Sequence, residues 1–247
     1  MDDGELLDVL HRTATAVRLA LDGLGDWGLE GASAHQYHHD VVADAVAVEL
    51  LTGAGLGVMS EESGHHRPTA ELTVVIDPVD GSTNASRGVP WWNTSLCALD
   101  ADGPRAAVVV DQVHGTRFEA VRGGGARRDG LAIRPTACRE LRRAFVGLSG
   151  YPAHYLGWNQ YRTLGAAALD LCAVACGVLD AYVDCSRRGH GPWDYLGGLL
   201  VCREAGAVMV DADGDELVTT GHAERRTPVA AATPELLEEL LAARRMF

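Results

Sequence analysis

The sequence predicts a layered α/β fold of the α+β kind, on three observations. The chain opens with two stretches of helical hydrophobic periodicity. A β-branched run and several short alternating segments follow. Strand and helix patterns then alternate to the end.

Each element has a local cause. In residues 3–24, Leu6, Val9, Leu10, Val17 and Leu21 recur at helical spacing. A glycine-rich loop follows. Residues 40–51 read as a second helix, with Val41, Ala45, Val48 and Leu51 on one face; Gly53, Gly55 and Gly57 end it, and GVMS reads as a short strand. LTVVI, residues 72–76, reads as a buried strand stopped by the turn cluster DPVDGSTN. Antiparallel strands are expected over 94–99, 105–112 and 116–121, with a hairpin turn at Asp102-Gly103 and a close at Gly123-Gly124-Gly125. Further on, 144–148, 179–184 and 207–210 read as strands, and 163–176 and 193–205 as helices, the latter ended by Gly206. The last helix starts at Thr233-Pro234-Glu235, with a capping hydroxyl, a first-turn proline and an acid in order, and ends near Arg244 and Arg245.

Composition narrows the function. At 247 residues and 47% apolar, the chain can bury a sizeable core. A single domain, 1–247, with halves 1–135 and 136–247 is expected. The net charge of −13 opposes non-specific nucleic-acid or anionic-membrane binding, so neither partner is expected. Some of those carboxylates are available to cluster around cations. There is no lysine, which excludes a lysine Schiff base and a GK[ST] phosphate loop. The cysteines, among them Cys97 in TSLCAL, form no CxxC pair and read as small buried hydrophobes in a reducing compartment. The acidic N-terminus does not look like a signal peptide, and Asp170 and Asp180 interrupt the apolar stretch 164–183. A cytoplasmic location is the expectation.

The chemistry concentrates in Asp77-Pro78-Val79-Asp80-Gly81-Ser82-Thr83-Asn84. Two carboxylates three residues apart flank a proline at the end of a buried strand. The proline biases Asp77 toward an extended backbone, so both acids can converge just past the sheet. Gly81, Ser82 and Thr83 can open a helix whose free N–H groups face an anion. Alone, DP or DG is a plain turn; the full string after a strand is more. Ser60-Glu61-Glu62-Ser63 occupies a second strand end, and Asp194 precedes an apolar helix, where by itself it is simplest as a cap.

In combination these pieces resemble the inositol monophosphatase family. SEES, DPVDGSTN and WDYLGG…CREAGA match its pattern of a GEE-type strand end, DP[IV]DG[ST]xN and WDxxxG with EAGG-like sequence behind, in order and at compatible spacing. Arg162-Thr163-Leu164-Gly165-Ala166-Ala167-Ala168 is similar to its R-x-x-G-[ST]-A-A segment. The resemblance runs from about Asp40 to the end. It implies a layered αβαβα sugar-phosphatase-like fold and hydrolysis of a small phosphate monoester by a metal-activated water. It implies two or three Mg²⁺ ions, with Mn²⁺ as substitute and Li⁺ as inhibitor, and a homodimer. By the same resemblance Glu61 holds the activating metal, Asp77 bridges two metals, Asp80 and Asp194 complete the second site, and the Val79 carbonyl joins the first. Ser82 orients the nucleophilic water and, with Gly81, touches phosphate. Asp40 stands behind the water. The Gly165 and Ala166 backbone and Asp184, with Asp80 and Asp194, face the alcohol portion.

Departures from the pattern bear on the substrate. Ser60 stands where glycine is usual, Ala166 replaces a common hydroxyl residue, and Asp184 stands where glutamate is frequent. CSRRGHGP before Trp193 is longer than the family norm, and Arg187, Arg188 and His190 in it are placed to reshape the pocket. Histidinol phosphate and fructose bisphosphate are alternative substrates, and a retired phosphatase that only binds is the non-enzymatic alternative. A zinc hydrolase lacks its HExxH. The pairs His38-His39 and His65-His66 read as surface or supporting residues, the sequence by itself points to no partner for His114, His154 or His222 in particular, and Trp91 and Trp92 read as packing.

Overall fold

A reciprocal cap starts the first helix: the Asp2 carboxylate accepts from the Glu5 N–H (2.8 Å) and Glu5 accepts from the Asp2 N–H (2.9 Å). This is α1 (Asp3–Asp22). The structure is a computed structural model that describes residues 1–25, 27 and 37–245. The expected glycine-rich loop lies mostly outside the described residues.

The second helix, α2 (His38–Gly53), is rotated from the expected face. It buries His39, Asp40, Ala43, Asp44, Ala47 and Leu51, while Val41 is exposed. Two polar anchors explain the rotation. Asp40 is turned inward, and Asp44 accepts a short hydrogen bond from the Ser60 hydroxyl. Small Ala43 and Ala47 let the helix approach α1 and the sheet closely.

β1 (Gly57–Ser60), β2 (Gly64–His66), β3 (Thr73–Asp80), β4 (Asn93–Asp100), β5 (Gly103–Asp111), β6 (Arg117–Val121), β7 (Gly125–Arg128) and β8 (Leu131–Ala132) form one sheet in the order β2-β1-β3-β4-β5-β6-β7-β8. β1 and β3 are parallel and the other pairs antiparallel. The glycine triplet turns β6 into β7 instead of closing the sheet. The β4–β5 turn falls at Ala101-Asp102, one residue before the expected place, and Gly103 (φ +101°) begins the return strand.

A short helix, α3 (Ser82–Arg87), sits between β3 and β4, and the rest of the chain adds β9 (Phe145–Ser149), β10 (Gln160–Arg162), α4 (Ala167–Ala175), β11 (Ala181–Asp184), α5 (Pro192–Ala205), β12 (Val208–Asp211), β13 (Pro228–Ala231) and α6 (Pro234–Arg244). Its sheet runs β10-β9-β11-β13-β12. α4 starts later than expected because Gly165 (φ +89°) holds a left-handed turn before it.

Strand alternation sorts the side chains into five layers. Val74, Ile76, Leu96 and Val108 face α1 and α2; Val75, Cys97, Ala107 and Val109 face α4 and α5. Across that helix layer, Tyr182 and Ala230 come from the second sheet, whose outer residues Val146, Val183 and Val229 pack on α6. The order αβαβα is therefore the expected one. All six cysteines are free, with Cys97, Cys172 and Cys202 buried.

α5 reaches its neighbours through two glycines. A Cβ on Gly197 would lie 2.6 Å from Ser95 Oγ, and one on Gly198 2.6 Å from Leu171 Cβ. Gly198→Ala must push α4 and α5 apart, and a loss of about 1–3 kcal/mol is expected for such overpacking. Urea denaturation measures it, and an unchanged midpoint would show that the crossing is looser than described.

Candidate active site

Parallel pairing aligns the ends of β1 and β3. Met59 lies opposite Val75 and Ser60 opposite Ile76, and the Glu61 N–H continues the ladder to the Ile76 carbonyl at 3.2 Å. Glu61 is thus level with Asp77. By alternation both follow Met59 and Val75 onto the face covered by α4 and α5.

Asp80 would point to the opposite face in a regular strand. A bulge prevents this: Asp77 pairs with Ser95 and Asp80 with Asn93, so three steps on β3 match two on β4. The Val79 N–H donates to Asp77 Oδ1 (3.0 Å), and the Thr94 hydroxyl holds the Pro78 carbonyl (2.8 Å). Both aspartates therefore face the helix layer, and the strand continues through DPVD where a stop was expected.

The third carboxylate arrives on α5. Gly191 caps this helix and Pro192 opens it, and Asp194 Oδ2 accepts from the Gly191 N–H at 2.7 Å. Asp194 was expected as the cap before the helix; Gly191 holds that place, and Asp194 lies inside the first turn and reaches back to it. It also has a second position: one oxygen each of Glu61, Asp77 and Asp194 lie within 4.8 Å of one another. Burial raises Asp77 well above the usual carboxylate range, with Glu61, Asp80 and Asp194 adding repulsion. Burial raises Glu61 likewise, helped by Asp194 and Glu62. Crowded buried carboxylates with oxygen donors only are the donor set that magnesium takes, and a divalent ion would relieve their repulsion. The residues fit the ion.

Asp80 stands beside the trio in a different setting. It accepts from Asn93 Nδ2 (2.7 Å) and from the Ala167 and Ala168 N–H groups at the start of α4 (3.2 and 2.8 Å). Burial and Asp194 push it up to about 7 against those donors. Asp40 is buried in the first turn of α2, accepts from the Tyr37 N–H (3.2 Å), and is raised to about 6, chiefly by burial, with Ser82 opposing. The Ser82 hydroxyl donates to the Val79 carbonyl at 2.8 Å.

Gly81 sits at φ +93°, and a Cβ there would come within 3.2 Å of Ala166 Cβ, Gly165 O and Trp92 Cβ. That close approach brings the Gly165-Ala166 backbone against the start of α3. Asn84 locks it, donating to the Leu164 and Trp91 carbonyls at 2.7 Å each. Asp184, expected on the alcohol side of the substrate, holds the turn that follows it through one oxygen. It is fully buried, and Oδ1 accepts from the Ser186 N–H (2.8 Å) and Oγ (2.6 Å), so it anchors the following turn. Arg188 pairs with Asp215 (2.7 Å). His39 is buried between the Trp27 and Tyr37 rings, which leaves the supporting place and not the surface one of the two expected for it.

His190 enters the site from the long loop. Its Nδ1 is 3.3 Å from Asp194 Oδ2, and its Nε2 is 3.1 Å from Tyr182 OH and 3.2 Å from Ser149 Oγ. Burial opposes its charge, but Asp194, Asp184 and Asp80 outweigh burial and raise it to about 9. The only hint in the sequence is its place three residues before Trp193.

A five-layer αβαβα protein with a carboxylate trio suited to a divalent cation is the class that fold and site define. The chain belongs to the inositol monophosphatase family, whose profile matches residues 38–246, a family of magnesium-dependent phosphomonoesterases. It is 31% identical over 205 residues to the fructose-1,6-bisphosphatase of Pyrococcus furiosus, covering 82% of this chain and 80% of that one. It is 28% identical over 258 residues to the Nus factor SuhB of Escherichia coli K12, covering 97% and 90%. A solved Pyrococcus horikoshii structure, described as similar to inositol-1 monophosphatase, superposes with a TM-score of 0.84 at 29% identity, covering 97% of this chain and 96% of that one. Among the described residues no helix is long and apolar enough to cross a membrane.

Proposed function

We propose that this chain hydrolyses a small phosphate monoester, of the inositol, sugar or amino-alcohol phosphate kind, with magnesium. The observation that carries the reading is the convergence of Glu61, Asp77 and Asp194, from three separate elements, beside the Gly81-Ser82 turn. Glu61, Asp77 and Asp194 would hold magnesium, with Asp80 and the Val79 carbonyl completing the set. Bound there, the ion would supply Lewis-acid neutralisation of phosphoryl charge.

The chain's own groups do the rest. Ser82, whose hydroxyl is held by the Val79 carbonyl, orients the attacking water, and Asp40 behind it assists its activation. The N–H groups of Gly81 and Ser82 receive phosphate oxygens. The Gly165-Ala166 backbone borders the alcohol, and Asp184 shapes that side through the Ser186 turn. In this reading one domain acts as two halves, 1–135 supplying Glu61, Asp77 and Asp80, and 136–247 supplying Asp194. A cytoplasmic homodimer belongs to this reading, the dimer carried over from the family resemblance alone; the charge of −13 bears on partners only, opposing nucleic acid and anionic membrane.

A fructose bisphosphate is the second reading, favoured by the name of the Pyrococcus furiosus relative; histidinol phosphate is weighed beside it. Phosphate release from a panel of inositol, sugar, bisphosphate and histidinol phosphates, with and without Mg²⁺, tests the proposal. Mg²⁺-dependent release inhibited by Li⁺ is expected. Stoichiometric Mg²⁺ binding with no release from any ester would instead make this a binding protein.

A further inference from the structure

The connection between β12 and β13 passes over the start of α5. Arg226 exchanges two backbone hydrogen bonds with His190, its N–H to the His190 carbonyl (2.8 Å) and the His190 N–H to its carbonyl (3.2 Å). This ties one end of the segment one residue before the Gly191 cap. The other end is His222, whose Nε2 lies 3.1 Å from both the Ser60 and the Glu61 carbonyl oxygens. Two carbonyls can only accept, so Nε2 carries the proton and donates to both.

Between these anchors the segment grips Trp193. The His222 ring lies 4.8 Å from the Trp193 ring, the Arg225 guanidinium 4.9 Å from it, and Arg225 Nη1 donates to the His222 carbonyl (2.9 Å). Trp193 is buried and directly precedes Asp194. His222 thus joins the backbone of Glu61, in the first half, to the helix start that carries Asp194, across 161 residues of sequence.

We propose that His222 is a positioning residue that sets Glu61 against Asp194 for cation binding, through its donation to the Ser60 and Glu61 carbonyls. The inference rests on the magnesium reading of the trio. Glu61 sits on a turn just past a four-residue strand, with no helix of its own to orient it. A donor holding the backbone of a ligand acts as an outer shell does, and losing such a partner typically costs 10–100-fold in metal affinity.

Two variants separate the hydrogen bonds from the ring contact. His222→Phe keeps a ring on Trp193 and removes the donor; His222→Gln keeps an N–H donor and removes the ring. Calorimetric titration of the full chain with MgCl₂, alongside thermal unfolding without metal, reads both. The expected result is about a tenfold or greater rise in the Mg²⁺ dissociation constant for the Phe variant. The Gln variant should recover much of it, and higher Mg²⁺ should restore turnover in the Phe variant. A Phe variant that binds Mg²⁺ as the parent does would overturn the inference, whether or not its melting temperature falls. Glu61→Gln is the control: if it binds Mg²⁺ like the parent, the magnesium reading itself fails.

Discussion

Asp77→Asn lowers Mg²⁺-dependent phosphate release by at least about 10²-fold, on the scale seen when one preorganised electrostatic group is removed from a transition state. The side chain is nearly isosteric, and Asp77 is 3% exposed at the end of a central strand, so the fold is retained. What changes is charge. Asp77 is the carboxylate on which Glu61, Asp80 and Asp194 all press. With the amide, the trio keeps two negative charges and the cation loses its most buried ligand. The same loss relieves repulsion, so the metal-free variant should melt higher than the metal-free parent. Site residues commonly trade stability for function in this way. Steady-state assays and thermal unfolding in EDTA check the pair of outcomes, and near-parental turnover in excess Mg²⁺ would refute the assignment.

The second large effect is a reversal of pH dependence by metal. Asp40 and Asp80 titrate at about 6 and about 7 in the fold, against an ordinary 3.8. Between the ordinary value and the raised one, the folded state holds more protons than the unfolded state. Stability therefore falls as pH rises through that window. Glu61 and Asp77 are raised in the same sense. His190, raised from 6.5 to about 9, acts in the same direction: its contribution is full below 6.5 and is lost as pH climbs through about 9. In EDTA the melting temperature should drop from about pH 5 to pH 8. Magnesium needs the deprotonated carboxylates, so its stabilisation should grow over the same range and flatten or invert the trend. Melting curves in EDTA and in Mg²⁺ over that interval decide it, and a metal-free protein that gains stability toward pH 8 would contradict the electrostatics.

How much of this was legible in the sequence differs by element. DPVDGSTN marked the turn and its acids, because proline and glycine act through local backbone preference, though the strand runs on to Asp80 instead of stopping before the motif. The bulge that turns Asp80 to the face of Asp77 was not legible, since it depends on the pairing with Ser95 and Asn93. The α2 face was misread because hydrophobicity favoured Val41, whereas the fold buries Asp40, which accepts from the Tyr37 N–H, and Asp44, whose partner Ser60 lies on the next strand. β13 begins with proline and continues in small apolar residues, a pattern shared with buried helices. Asp184 was legible as an acid at a strand end, but its bond to Ser186 through Oδ1 and its burial beside His190 appear only in the structure. His190 was legible only as a loop residue placed to reshape the pocket, and His222 not at all: a lone histidine has no periodicity, and both take their meaning from contacts made across the fold.

The most direct test of the central claim is a crystal structure of the protein grown with Mn²⁺, read by anomalous scattering at the manganese edge. The account predicts a peak about 2 Å from carboxylate oxygens of Glu61, Asp77 and Asp194 together. A peak elsewhere with that recess empty, or one that leaves Asp194 or Glu61 out of reach of the ion, would contradict it.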